Sequence, residues 1–347
     1  MRAIEFHGEE RLELVERPDP SPGEGELLIA PTAVGICGTD VEIFDGSLAY
    51  FRMGLARYPI VPGHEWTGEV VDVGPGVSGF SAGDRVVGEV AIGCGVCERC
   101  VAGRRHLCAK RTETGIVHMD GAMASRMVFP AAFAHRVELL PRAAALVEPT
   151  SVALHAVRRG RVAGQRVLVV GAGPIGLLAA QCARAEGAAS VVISDTRADR
   201  LTLAAALGFP PLDGISGPSL EEWADTRPLQ AVPELDLIDV AILCAGGPVA
   251  IASAFAAVRP GGTVVALGLS GAPTIPFDFD GLVVRDVDLI GVLGSVGFWP
   301  DAIELITSGR VLTEPLVTGS YGLERTRDAL EQLVKPGTLK VLIEPHA

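Results

Sequence analysis

The run RVLVVGAGPIGLLAAQCARAEGA (166–188) constrains the fold more than any other part of the chain. A short apolar strand passes through a glycine turn straight into a long helix. The turn, Gly171-Ala172-Gly173-Pro174-Ile175-Gly176, has G-x-G-x-x-G spacing. In such a turn the first glycine makes the bend, the second lets a pyrophosphate approach the backbone, and the third lets helix and strand pack closely. The helix that opens at Pro174 and Ile175 directs its free amides and positive dipole end at the phosphates. In a chain with 42 glycines the spacing alone is weak. Its place between strand and helix, with Asp195 ending the next strand nineteen residues beyond Gly176, predicts a dinucleotide site. Asp195 there accepts hydrogen bonds from ribose hydroxyls and repels a 2′-phosphate, so NAD is expected over NADP. Arg197 offsets part of that repulsion, and Arg200 is assigned to the same site. The alternative for Asp195 is a solvated loop carboxylate.

The alternation continues on both sides of this unit. SVALHAVRRG, TRADRLTLAAALG and PVAIASAFAAVRPGG read as helices, the last ending at its glycines. ASVVISD, LIDVAILCAGG, GTVVALGL and VDLIGVLGS read as buried strands. Strands alternating with helices predict a parallel, doubly wound sheet. Residues 1–150 have a different rhythm, with short strands such as 26–36, 67–74 and 84–90 broken by Gly and Pro, antiparallel in character. After residue 295 the expectation is two helices, WPDAIELITSGRV and LERTRDALEQLV, and a last strand, LKVLIEP. The segment 209–235 is rich in Pro and Gly and reads as a loop. At 347 residues the chain exceeds the ~250–300 at which single cores stop growing. Two domains are therefore expected, a catalytic one of residues 1–152 and 295–347 and a dinucleotide-binding one of residues 153–294.

With 48% hydrophobic and 20% charged residues the chain is not disordered. Its net charge of −13 and its lack of a Lys/Arg-rich run argue against nucleic acid or an anionic membrane as partner. No stretch reaches the ~18 apolar residues of a membrane span. The start MRAIEFHGEERLELVERP is unlike a signal peptide, so a cytoplasmic location is the expectation.

Seven cysteines, four of them within 94–108, suggest metal rather than disulfides. Cys94, Cys97, Cys100 and Cys108 form C-x2-C-x2-C-x7-C, which predicts a closed, structural four-thiolate zinc site. An iron–sulfur cluster also takes four thiolates. Cys37-Gly38-Thr39-Asp40 and Gly63-His64-Glu65 lie at strand–loop boundaries. Cys37 and His64 are candidates for a catalytic zinc, although each alone reads equally as a core residue.

GICGTD (35–40), PGHEWTGEVVDVG (62–74), the four-cysteine lobe, VEPTSVALHA (147–156) and VGAGPIGLL (170–178), in this order, resemble the zinc-containing medium-chain dehydrogenases. The likeness is to the branch of sorbitol, threonine, butanediol and cyclitol dehydrogenases and covers essentially the whole chain. It implies an α/β fold, with a β-rich GroES-like catalytic domain and a doubly wound parallel-sheet Rossmann domain. It implies two zinc ions per chain, NAD, a small polyhydroxy alcohol as substrate, and a homodimer or homotetramer. The catalytic zinc would be held by Cys37, His64 and Glu148, with Glu65 beside the metal and able to exchange with its water. Asp40 would accept from the other ring nitrogen of His64. Thr39 would touch the substrate hydroxyl and begin the proton path.

Two positions depart from the family. Glu42 stands where many relatives carry a proton-relaying histidine; a carboxylate can do that work, or Glu42 is a surface charge. Gly294 stands where sorbitol dehydrogenases place a polyol-gripping arginine, which speaks against sorbitol itself. The segment 47–59 is expected to line the substrate mouth, with Tyr50, Phe51 and Arg52 as candidates. Arg52 suits a carboxylate or phosphate there, or is a solvated cation. The expected activity is oxidation of a secondary alcohol of a polyol, sugar or (amino)cyclitol to a ketone. Glu42 motivates the alternative of an aldose 1-dehydrogenase yielding a lactone, and a third reading is an NAD-binding protein without chemistry. His135 has no evident partner, and Cys182 and Cys244 read as core.

Overall fold

A computed structural model describes residues 1–213, 238–270, 272 and 274–347. They form two compact units, Met1–Ser151 with Gly294–Ala347, and Val152–Leu293.

The first unit is built on strands. β1 (Arg2–Gly8) and β2 (Arg11–Glu16) form a hairpin. β3 (Glu26–Gly35), β4 (Glu65–Val73) and β5 (Arg85–Gly88) form the middle of a seven-stranded sheet. Burial along β3 alternates from Leu27 to Ala33, as a strand with one face on a core requires. β6 (Ala91–Ile92), β7 (Thr112–Thr114) and β8 (His118–Met119) make a small separate sheet. β9 (Met127–Pro130) pairs with β3 and β10 (Ala134–Arg136) with β5. The core inside is led by Ile4, Phe6, Leu27, Ile29, Trp66, Met123 and Phe129. Trp66 and Phe129 meet edge to face, 4.9 Å between ring centroids.

The second unit carries six parallel strands: β11 (Arg166–Val170), β12 (Ser190–Asp195), β13 (Pro211–Asp213), β14 (Ile238–Leu243), β15 (Val258–Ala266) and β16 (Asp288–Gly291). Their order, β13-β12-β11-β14-β15-β16, reverses direction between β11 and β14. This is the doubly wound arrangement, whose switch point receives a ligand at the strands' carboxyl ends. β14 is buried at all six residues because helices cover both faces.

Back in the first unit come the helix Trp299–Thr307, β17 (Val317–Tyr321), the helix Thr326–Gln332 and β18 (Lys340–Ile343). β18 lies antiparallel to β3 and parallel to β17.

Three local expectations need correction. The helix Pro248–Ala257 stops before the Pro-Gly-Gly it was expected to reach, because β15 already begins at Val258. β17 was missed, since Val-Thr-Gly-Ser-Tyr has little alternation of its own and is held by its pairing with β18. Of the loop expected over 209–235, Pro211–Asp213 is a strand, and residues from 214 lie outside the described residues. Among the described residues no helix is long and apolar enough to cross a membrane.

Candidate metal and cofactor sites

Cys37 lies between β3 and the helix Gly38–Asp45, and Asp40 in that helix's first turn accepts the Cys37 N–H at 2.8 Å. Asp40 also accepts the Gly63 N–H at 3.2 Å. One carboxylate thereby ties the cysteine loop to the residue preceding His64. Cys37 Sγ, a His64 ring nitrogen and a Glu65 oxygen lie within 4.8 Å of one another. A thiol, an imidazole and a carboxylate gathered in a buried place form a donor set that suits zinc.

Asp40 Oδ1 stands 3.7 Å from His64 Nδ1, which is charge contact and too long for a hydrogen bond. His64 Nδ1 is buried without a hydrogen-bond partner. At this separation the expected hydrogen bond from the ring to Asp40 is not made, and the carboxylate oxygens accept the Cys37 and Gly63 amides.

Glu148, in the first turn of the helix Val147–Arg159, is outside the 4.8 Å group but buried beside it. Burial pushes its carboxyl up to about 7, with His64 and Lys340 pulling down and Glu65 and Asp40 pushing up. Asp40 is likewise raised, chiefly by burial. Burial works against the His64 imidazolium, but Asp40, Cys37 and Glu148 outweigh it and hold its pKa well above the ordinary value. Three carboxyl groups and a thiol thus share a buried neighbourhood with one imidazole and one ammonium. A divalent cation is what would balance such a set.

The ammonium was not anticipated from the sequence. Lys340, the first residue of β18, places Nζ 2.6 and 2.8 Å from the two Glu65 oxygens and 3.0 Å from the Ile36 carbonyl. Both partners are buried, Glu65 to 1% and Lys340 to 4% exposure. Gly35 makes room for this pair, since a Cβ there would lie 2.3 Å from Glu65 Oε2.

Thr39 Oγ1 is 3.9 Å from Cys37 Sγ. Glu42 is half-buried three residues further along the same helix, on the face Thr39 occupies. Burial, then Asp45, raises its carboxyl.

The four lobe cysteines also come together, all Sγ atoms within 4.8 Å. Cys94 and Cys100 are 4.0 Å apart, Cys97 and Cys108 3.8 Å. These are not disulfide distances. Thiolates on one zinc at about 2.3 Å stand about 3.8 Å apart along the tetrahedron's edges. Thiolates spread over separate irons of a cluster would be wider, so the spacing favours a single ion. Amides of Val96 and Cys97 stabilise the Cys94 thiolate, lowering its pKa to about 6, while burial raises Cys100 to about 11. The lobe is tied down by Arg105, whose Nε donates to buried Glu89 at 3.1 Å. Glu89 also receives His135 Nε2 at 3.0 Å, the partner the sequence did not supply.

In the second unit the glycine turn follows β11, with Gly171 at φ +100°. A Cβ on Gly176 would fall 1.7 Å from the Gly171 carbonyl oxygen, so no larger residue fits this helix–turn contact. Gly173 caps the helix Pro174–Ala185, with Pro174 and Ile175 as its first residues. Asp195 ends β12 and accepts from Ala172 N at 2.7 Å and Arg197 N at 2.8 Å. The two arginines differ. Arg197 pairs with Asp199 at 2.7 Å, whereas Arg200 reaches to 3.5 Å from Asp195 and lies next to Gly173. Cys182 is core; Cys244 lies just past β14, and although the residue as a whole is half-buried, burial of its thiol raises the pKa as it does for Cys182.

The sequence matches the alcohol dehydrogenase GroES-like domain family over residues 23–139 and the zinc-binding dehydrogenase family over 174–308. It is 33% identical to a sorbitol dehydrogenase of Bacillus subtilis, over 100% of this chain and 98% of the relative. It is 36% identical to an L-threonine 3-dehydrogenase of Streptomyces coelicolor, over 92% and 91%. A zinc-binding dehydrogenase of Sinorhizobium meliloti, solved bound to NADP, superposes with a TM-score of 0.88 at 29% identity, over 99% of both chains. With the GroES-like and zinc-binding families matching its two halves, and relatives spanning its whole length, the chain belongs to the zinc-containing medium-chain dehydrogenases, a family of zinc-dependent alcohol dehydrogenases.

Proposed function

We propose that this dehydrogenase oxidises a secondary alcohol of a polyol, sugar or cyclitol to a ketone, using NAD and two zinc ions. The observation that carries the reading is the acid-rich buried group of Cys37, His64, Glu65 and Glu148 in the first unit. Cys37, His64 and Glu148 would hold the catalytic ion, and Cys94, Cys97, Cys100 and Cys108 the structural one. A catalytic zinc supplies Lewis acidity that lowers the pKa of an alcohol, and nicotinamide supplies the hydride acceptor.

The chain's own residues do the rest. Asp40 holds the Cys37 and Gly63 backbones together and so sets the spacing of Cys37 and His64. Lys340 holds Glu65 by both oxygens, which keeps it beside the ligands. Thr39 relays the substrate's proton, accepting it at Oγ1 as it gives up its own hydroxyl hydrogen, and half-buried Glu42 carries the released proton toward water. Asp195 binds the ribose; its neighbour Arg200 weakens the repulsion of a 2′-phosphate, so the preference for NAD is one of degree. An exposed apolar surface on the second unit supports a homodimer: Leu289 and Leu293 on or just beyond edge strand β16, and Phe279, Val283 and Val284 nearby in sequence.

The test is metal analysis of the purified protein together with a panel of polyols, aldoses and cyclitols followed by NADH absorbance. Two zinc ions per chain and a ketone product are expected. A lactone would replace this reading with the aldose 1-dehydrogenase that Glu42 suggests, and full lobe occupancy with no second zinc would remove the catalytic ion.

A further inference from the structure

The helix Gly38–Asp45 begins just after Cys37 and carries Thr39, Asp40 and Glu42, and its far end is held by groups that have no part in the scheme above. The last carbonyls of a helix have no partner within it. Here the Glu42 carbonyl accepts the Leu48 N–H at 3.0 Å and the Phe44 carbonyl the Glu10 N–H at 2.9 Å. The Ile43 carbonyl between them accepts the Tyr58 hydroxyl at 2.5 Å. Of these three donors, only the Tyr58 hydroxyl belongs to a side chain.

Packing aims that hydroxyl. The Tyr58 ring is half-buried and stacks on Phe51, with centroids 4.0 Å apart and planes 16° from parallel. On another side lies Gly8, where an added Cβ would fall 2.8 Å from a ring carbon. The backbone of Tyr58 opens the segment that leads to His64. Along it Ile60 exchanges two bonds with Phe6, at 2.8 and 3.1 Å, and the Val61 N–H reaches Asp120 at 3.0 Å. The segment is then tied to the Cys37 helix at both ends of that helix, by Asp40 to the Gly63 N–H and by Tyr58 to the Ile43 carbonyl. Arg52, the sequence candidate for an anionic group in the same stretch, is exposed and donates to the Ser47 carbonyl instead.

We propose that Tyr58 is a positioning residue for the candidate catalytic metal site, its hydroxyl fixing the Cys37 helix against the segment that presents His64. This rests on the function proposed above, which gives Cys37 and His64 one shared ion. A single tie at Asp40 sets the distance between the two segments but leaves them free to pivot. A second tie at the other end of the helix removes the pivot, so thiol and imidazole are held ready for one ion. Where ligands come from two segments, apparent affinity falls by the fraction of time they spend out of place. The four lobe cysteines lie on one short loop of their own, so that site has no need of Tyr58.

The experiment uses the full chain loaded with zinc and a chromogenic chelator, which reads the affinity of each bound ion by competition. The ion lost in Cys37→Ser identifies the site in question. Tyr58→Phe keeps the ring and its stacking and removes only the hydroxyl. It is expected to weaken that one ion about fivefold, the scale of one neutral hydrogen bond, and to leave the lobe ion as in the parent. Thr326→Val is the control, because it removes a buried hydroxyl bond of the same kind, to the Leu323 carbonyl at 2.7 Å, in the same unit. It should leave both affinities unchanged, which separates positioning from a general loss of stability. Phe51→Leu keeps the hydroxyl but removes the ring that orients it, and should weaken the same ion less; it carries the test if Tyr58→Phe folds poorly, as judged by Tm. With cobalt(II) in place of zinc, the absorption bands of the Cys37 site should shift in Tyr58→Phe while those of the lobe stay. Unchanged affinity in Tyr58→Phe, equal weakening of both ions, or an equal effect of Thr326→Val would overturn the assignment. A parent chain that binds zinc in the lobe alone would overturn the proposed function itself, and this assignment with it.

Discussion

Glu148 and Lys340 have opposite relations to the buried charge around Cys37, and each makes a prediction. Folded, Glu148 keeps its proton up to about 7; unfolded, it releases it near the ordinary 4.5. Between those values the folded chain binds more protons than the unfolded one, so stability falls as pH rises through the window. The metal-free protein should thus show a urea midpoint that declines from pH 5 to pH 7, and Glu148→Gln should flatten the decline. An unchanged slope in the variant would assign the effect elsewhere. Lys340 is the counter-charge to Glu65. Removing one partner of a buried pair strands the other, at a cost of about 3–5 kcal/mol. Lys340→Met should lose that much by chemical denaturation; a loss under about 1 kcal/mol would mean that Glu65 finds another partner or takes up a proton.

At the scale of elements, the four-cysteine lobe is short on regular structure. Its helical pieces are Glu98–Val101 and the single turn Arg105–Leu107, and Arg105 anchors it to Glu89. Segments with so few apolar contacts need a metal to stay folded. Cys97→Ser should therefore release one zinc per chain and expose the lobe to protease cleavage, while the second unit keeps its affinity for NAD. Retention of both ions with a protected lobe would count against the structural zinc. The glycine turn is the opposite case, since Gly171 to Gly176 needs no ligand to be specified: the contact of Gly176 with the Gly171 carbonyl already excludes a side chain.

At the scale of the whole molecule, β16 is the last strand of its sheet among the described residues and carries Leu289, 49% exposed. An unpaired edge with an exposed apolar residue tends to pair with another chain. Leu289→Lys should weaken a homodimer about tenfold or more, the scale of losing a buried leucine, as measured by sedimentation velocity. A monomeric parent chain would dismiss the surface as an interface.

Much of the candidate chemistry was legible because it is local. The lobe cysteines lie within fifteen residues, and the glycine turn, its helix and Asp195 within one strand–helix–strand unit; short chain segments give such groups few other ways to meet. Cys37 and His64 could be named as candidates, but their partnership came only by resemblance, since nothing in either segment says that the other packs against it. The tertiary structure alone decided the rest. Lys340 reaches Glu65 across 275 residues because β18 inserts beside β3. His135 finds Glu89, and β17 exists, through pairings of the same kind. Spacing records what neighbours along the chain can do together; which distant side chains share a buried, low-dielectric neighbourhood is set by strand order and packing.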